Sequence, residues 1–348
     1  MLQRIDALFS TGLDGAVLIS GFANIFYYSG FTSEDAFLML TPEKNYIITD
    51  SRYFIQAKFE CPDFDLIDIK KGWESVFSLI KSEKIYFEED KLNFGMYKNL
   101  SGKASGKEFI PAQTKINLPR QKKSKYEIEI IKEAEKIGDM AFEHILQILR
   151  VGVSEREIAF ELEMFMRKSG ASGLSFDTIV ASGVRSAMPH GVASDRIIEN
   201  GDFVTLDFGC RYKGYCSDMT RTVVVGKPDT KQKEIYDIVF RAQTAAIASI
   251  KNGIVCSDID KVARDVITEA GYGDNFGHAL GHSVGIEVYE TPVFSPKSTD
   301  ILQNGNVLSV EPGIYIDGWG GVRIEDLIAV SDGAVINLTA SPKELIEI

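Results

Sequence analysis

The chain has 348 residues, and its 50 Asp and Glu against 38 Lys and Arg give a formal charge of -12 at pH 7. Hydrophobic residues at 45% and charged residues at 25% are the balance of a folded protein, which excludes a disordered chain, and the length corresponds to about two domains. The acidic excess argues against nucleic acid or an anionic membrane as partner.

At the start, Met1-Leu2-Gln3-Arg4-Ile5-Asp6 interrupts its apolar positions with charge, so no signal-peptide core forms. No apolar run approaches the ~18 residues of a membrane span. The expectation is a cytoplasmic protein. Cys61, Cys210, Cys216 and Cys256 form no CxxC pair and are expected to be reduced packing residues.

The first third alternates apolar runs with turn residues: Gly15-Ala16-Val17-Leu18-Ile19-Ser20, Phe37-Leu38-Met39-Leu40, then Tyr46-Ile47-Ile48-Thr49. Amphipathic stretches such as 51–59 lie among them, which predicts a small α/β domain over residues 1–119. Residues 101–125, with Gly102, Gly106, Pro111, Pro119 and several lysines, predict the linker.

Ser124 with Glu127 forms a capping box that opens a long amphipathic helix and a second domain, residues 120–348. Ser154 with Glu157 repeats the device before a helix that Gly170 ends. Ser257 with Asp260 predicts another running to about Gly271, and 230–250 is also helical. Between them, 203–211, 215–225, 307–316 and 322–330 read as strands, so this domain is α+β. No repeat or low-complexity tract appears.

Four acids stand inside these apolar strands, where burial is costly unless the charge is paired or binds a cation. A turn at Tyr212-Lys213-Gly214 predicts Asp207 and Asp218 nearly opposite one another, and the turn Asp317-Gly318-Trp319-Gly320 is centred midway between Glu311 and Glu325. Two facing acid pairs suggest divalent cations between them. Of the four histidines, His190, His278 and His282 lie in Gly- or Pro-flanked segments, whereas His144 on a helix face reads as packing or surface. Four carboxylates with one imidazole balance two divalent ions, and Mn²⁺, Co²⁺ or Zn²⁺ suits the oxygen-rich set. Two such ions generate a hydroxide nucleophile, so the predicted chemistry is hydrolytic.

On these residues the chain resembles the M24 metallopeptidase family of the pita-bread (creatinase/aminopeptidase) fold, and within it the Xaa-Pro aminopeptidases and Xaa-Pro dipeptidases (prolidases). The matching segments are Leu206-Asp207-Phe208-Gly209, Ser217-Asp218-Met219-Thr220-Arg221-Thr222, Gly281-His282-Ser283-Val284-Gly285, Val310-Glu311-Pro312-Gly313 and Arg323-Ile324-Glu325-Asp326, with Pro189-His190-Gly191 between. The resemblance implies a pita-bread catalytic domain behind a creatinase-like N-terminal domain. It implies that Asp207, Asp218, His282, Glu311 and Glu325 hold two divalent metal ions, manganese first among them, with Asp218 and Glu325 bridging. It further implies that Glu311 is general base to a metal-bridged hydroxide, that His190 and His278 contact substrate or the tetrahedral intermediate, and that Arg323 stands behind the bridging glutamate. The implied substrates are small peptides with proline second, and the implied assembly is a homodimer.

Val288-Tyr289-Glu290-Thr291-Pro292 departs from the family pattern, placing Tyr289 where a histidine usually donates a hydrogen bond near the scissile carbonyl. A phenol also donates such a bond, though it titrates near ~10 rather than ~6.5. The alternatives are a methionine-type or other aminopeptidase of this fold, a metal-free creatinase-like hydrolase, and a weakly active peptide-binding homologue. The N-terminal domain argues against the first, and the intact acids against the others.

Overall fold

The apolar runs of the first third become strands in the computed structural model of the chain, which describes residues 2–348. Contacts divide the chain into two units, one ending at Arg120 and the other spanning Gln121–Ile348.

The first unit is built on β1 (Ala16–Ile19), β2 (Phe37–Leu40), β3 (Asn45–Thr49), β4 (Asp65–Asp68), β5 (Lys84–Phe87) and β6 (Glu108–Pro111), hydrogen-bonded in the order β4-β3-β2-β1-β5-β6. All four residues of β1 are buried, as an unbroken apolar run in a central strand requires. Residues 101–125 differ from expectation. They are not an open linker but hold the end of the helix Phe94–Lys103, then β6 and the helix Gln113–Gln121. Gly102 sits in the last turn of the first helix, Gly106 lies between that helix and β6, and Pro111 ends the edge strand, where its missing N–H costs least.

The second unit contains β7 (Gly173–Leu174), β8 (Ile179–Ser182), β9 (Phe203–Phe208), β10 (Cys210–Tyr212), β11 (Tyr215–Cys216), β12 (Met219–Val224), β13 (Gly281–Ser283), β14 (Glu290–Phe294), β15 (Val307–Val310), β16 (Gly313–Ile316), β17 (Gly320–Arg323), β18 (Asp326–Ser331) and β19 (Ala334–Asn337). The sheets run β11-β10-β7, β12-β9-β8, β14-β13-β15-β18-β19 and β16-β17. Helices Lys125–Ile145 and Glu155–Lys168 open with the predicted capping boxes. They bury Ile137, Phe142, Ile158 and Leu162 against Val204, Leu206 and Phe208 of β9. Helices Thr230–Ser249 and Cys256–Glu269 cover the other half, packing Ile235, Val239, Ile259 and Ala263 with Leu308, Val310 and Ile328. The last of these begins after Val255 without a side-chain cap, one residue before the predicted Ser257 box.

Candidate metal centre

Each long strand predicted around an acid is broken in the structure. The 203–211 run stops at Gly209, 215–225 at Ser217-Asp218, 307–316 at Glu311-Pro312, and 322–330 at Ile324-Glu325. Asp218, Glu311 and Glu325 therefore stand where the chain leaves one ladder for the next, with Asp207 alone inside a strand. At Gly209 a side chain would collide with the Ser217 carbonyl, so only glycine lets the two segments approach this closely.

The registers correct one expectation. Asp207 pairs with Thr220, not Asp218. Asp218 is two residues further along, a diagonal neighbour on the same face. Glu311 and Glu325 flank the open end of the β16–β17 hairpin, whose pairing of Gly313 with Arg323 is centred on 318 as predicted. Glu325 N donates to Thr220 O at 3.1 Å and Glu311 N to Leu280 O at 2.8 Å, so backbone bonds bring both hairpins and β13 together.

One oxygen from each of Asp207, Asp218 and Glu325 lies within 4.8 Å of the others. His282 Nε2 is 3.7 Å from Asp218 Oδ2 and 3.4 Å from Glu311 Oε1. Its Nδ1 faces Ser283 O at 3.2 Å. A carbonyl only accepts, so that bond puts the proton on Nδ1 and turns the Nε2 lone pair toward the carboxylates. Burial, then the neighbouring carboxylates, pushes Asp218 well above its ordinary value, and burial with Glu311 and Asp207 does the same to Glu325. Burial raises Glu311 to about 7 against the opposing pull of Arg323. The arrangement crowds four acids around one guanidinium.

That guanidinium is Arg323, whose Nη2 donates to Asp207 Oδ2 at 2.5 Å and Nε to Thr220 Oγ1 at 3.0 Å; Thr220 in turn donates to Glu325 Oε2 at 2.6 Å. Arg323 Nη1 donates to Tyr315 Oη at 3.0 Å. The phenol proton is thereby left for His278 Nε2, 3.0 Å away, while His278 Nδ1 donates to Ala279 O at 2.7 Å. Burial and Arg323 lower the His278 pKa to about 4, so this imidazole is neutral with both nitrogens occupied. Sequence reasoning missed Tyr315 and Thr220, which look like ordinary strand residues. It also missed Glu135, buried on the helix Lys125–Ile145, which accepts from Asp218 N at 3.2 Å.

A cavity of about 390 Å³ opens over the acids, with His190, His278, Tyr289 and Arg323 in its wall and Phe176, Ile179, Val192 and Val293 as apolar lining. His190 is exposed in it. Tyr289 lies with its ring 4.0 Å from that of His282 and is 65% exposed. Partial desolvation of its buried part, then the nearby acids, push its pKa to about 12, so the phenol keeps its proton. His144 is apart from the site, stacked on Phe165.

Asp207 Oδ1 and Glu325 Oε1 are buried without a hydrogen-bond partner. A buried carboxylate oxygen left unpaired is costly, and one next to other anions more so. Divalent cations would occupy those oxygens and the His282 lone pair together, so the donor set fits such ions.

Two family descriptions match the chain: Metallopeptidase family M24 over residues 129–332 and Creatinase/Prolidase N-terminal domain over 2–122. An Xaa-Pro dipeptidase of Pyrococcus horikoshii is 42% identical over 95% of this chain and 94% of its own. A solved Xaa-Pro dipeptidase from Bacillus anthracis superposes with a TM-score of 0.95 at 44% identity, covering 100% of this chain and 99% of that one. An X-Pro aminopeptidase from Thermotoga maritima gives a TM-score of 0.91 at 39% identity, covering 99% and 100%.

Proposed function

The chain belongs to metallopeptidase family M24, and from that premise we propose that it is a metal-dependent exopeptidase that hydrolyses the bond between an N-terminal residue and proline, with Xaa-Pro dipeptides as substrates. The observation that carries the reading is the buried cluster of Asp207, Asp218 and Glu325 with unpaired oxygens turned inward beside His282 and Glu311.

In this reading Asp207, Asp218, His282, Glu311 and Glu325 would hold two divalent ions, Mn²⁺ first and Co²⁺ or Zn²⁺ as alternatives. The ions, when bound, supply Lewis-acid polarisation of the scissile carbonyl and water activated at neutral pH. Glu311 takes a proton from the attacking water and delivers it to the proline nitrogen. That delivery is required because the Xaa-Pro bond is a tertiary amide with no N–H of its own. Ser309 Oγ, donating to Glu311 Oε1 at 3.0 Å, orients the carboxylate for both transfers. Arg323 holds Asp207 in place, His190 meets the substrate from the cavity wall, and Tyr289, keeping its proton, donates a hydrogen bond to the developing oxyanion. His278, with both nitrogens engaged, serves by fixing Tyr315, which accepts from Arg323, and by forming part of the cavity wall.

A second reading, an Xaa-Pro aminopeptidase acting on longer peptides, is favoured by the likeness to the Thermotoga maritima aminopeptidase. One experiment separates them. Metal-stripped protein is assayed on an Xaa-Pro dipeptide and an Xaa-Pro-Yaa tripeptide, without and with Mn²⁺, Co²⁺ or Zn²⁺. Metal-dependent proline release from the dipeptide is expected; preference for the tripeptide would replace the first reading with the second, and no cleavage of either would refute both.

A further inference from the structure

The loop that carries His190 leaves β8 at Ser182 and returns at Ser194, and both ends are bonded to one carboxylate. Glu155, the first residue of the helix Glu155–Lys168, is fully buried. Its Oε1 accepts from Ser182 N at 2.8 Å and Ser182 Oγ at 2.7 Å. Its Oε2 accepts from Ser194 N at 3.0 Å and Ser194 Oγ at 2.6 Å, and pairs with the guanidinium of Arg185 inside the loop. These donors saturate a carboxylate, and its place in the first turn of a helix favours the charge.

Between the pinned ends, the loop reaches the candidate site twice. Ser186 Oγ accepts from Gly321 N at 2.8 Å, and Pro189 O from Arg323 Nη1 at 3.1 Å. His190 is the next residue. Residues Gly183–Ala187 of the connection form a 3₁₀ helix, whereas residues 188–191, which carry His190, lie outside helix and strand, and with the base open they would spread the imidazole over many conformations. The closed base restricts it to those that keep Pro189 on Arg323.

We propose that Glu155 is a positioning residue for His190, closing the base of the 183–193 loop so that the imidazole is held in the cavity wall before substrate arrives. The inference rests on the peptidase reading, in which His190 meets the substrate. Glu155 belongs to none of the expected ligand or substrate-contacting positions.

Glu155→Gln removes the charge opposite Arg185 and turns an amino group toward N–H and O–H donors. In metal-free protein, amides of residues 183–193 should then exchange about 10-fold faster or more, with those of β9 and β12 unchanged. Metal content should stay at the parental level. kcat should fall about 10- to 100-fold with little change in KM, the scale of a misplaced catalytic group. The double variant Glu155→Gln/His190→Ala should be no slower than His190→Ala alone, because the first acts through the second. Ser194→Ala, which keeps the ion pair and drops one donor, should move exchange and kcat the same way by less, and decides the matter if Glu155→Gln does not fold. Unchanged loop exchange, or losses that multiply in the double variant, would overturn the proposal and leave the peptidase reading intact. A His190→Ala variant as active as the parent would overturn the role of His190 and this proposal with it. A parent that cleaves no Xaa-Pro peptide with any metal would sink the peptidase reading itself, and the proposal falls with that too.

Discussion

Glu88 and Asp207 are both buried carboxylates, one just past the end of β5 and the other inside β9, yet their oxygens are treated differently. Glu88 accepts from Ser20 N and Gly21 N on one oxygen and from Asn24 Nδ2 on the other, so both oxygens are taken up by the turn that leads into the helix Phe22–Ser29. Asp207 and Glu325 each keep one buried oxygen unpaired, and that difference marks the cation site. Asp218→Asn and Glu325→Gln should therefore lower bound metal below the two ions per chain of the proposed site and abolish cleavage, measured by elemental analysis after dialysis against Mn²⁺; full stoichiometry in either variant would remove that residue from the site. Glu135, behind Asp218, offers a test by pH. Burial raises it from 4.5 to about 8, so its contribution to folding is complete below about pH 4.5 and is lost as pH rises toward 8 and beyond. A glutamine there still accepts from Asp218 N and still meets Thr339 Oγ1. Metal-free Glu135→Gln should match the parent's melting temperature at pH 5 and exceed it at pH 9; equal melting at both would show that Glu135 is not held protonated. The acids of the site were legible in the sequence because charge inside an apolar strand is anomalous. Glu135 was not, since an acid on an amphipathic helix looks like any solvent-facing one until the packing is known.

At the scale of elements, the strand positions were legible but their interruptions were not. The sequence reads Val307 to Ile316 as one strand, because apolar alternation carries no sign that the chain changes sheet at Glu311-Pro312. Only the convergence of backbone bonds, Glu311 N on Leu280 O and Glu325 N on Thr220 O, shows why the breaks fall at the acids. The misplaced linker has a related cause: glycines and prolines punctuate short elements as readily as they populate open chain. The first residue of β14 makes a second contact of this kind. Lys123 Nζ bonds Glu290 Oε2 at 3.0 Å, both side chains nearly excluded from solvent, and Glu290 Oε1 accepts from Ile286 N at 3.0 Å. Tyr289 is the preceding residue. Lys123→Ala leaves an anion buried against the loop it organises, a loss of about 3–5 kcal/mol. Urea unfolding should report a drop of that order, and a change within about 0.5 kcal/mol, as for an exposed pair, would show that the pair does not stabilise the loop.

For the molecule as a whole, every candidate ligand lies in the unit Gln121–Ile348, and among the described residues no helix is long and apolar enough to cross a membrane. The ligands come from β9, the β11–β12 junction, β13, the end of β15 and the β17–β18 junction, so cations at this site would join segments from both helix-covered halves of that unit. Free energy gained from binding is gained by the segments that binding ties together. At a concentration 100-fold above the dissociation constant, the gain is about 2.7 kcal/mol. Hydrogen exchange with and without Mn²⁺ should therefore show slower exchange in β9, β12, β13 and β17, with residues 2–120 unchanged. The Asp218→Asn variant should lose the difference. Protection that rises equally in both units would mean that metal acts outside this cluster, and protection confined to one half would mean that only part of the ligand set is used. The first outcome would displace the cluster as the centre of the protein's chemistry, whereas the second would reduce the site to a single ion held by one hairpin.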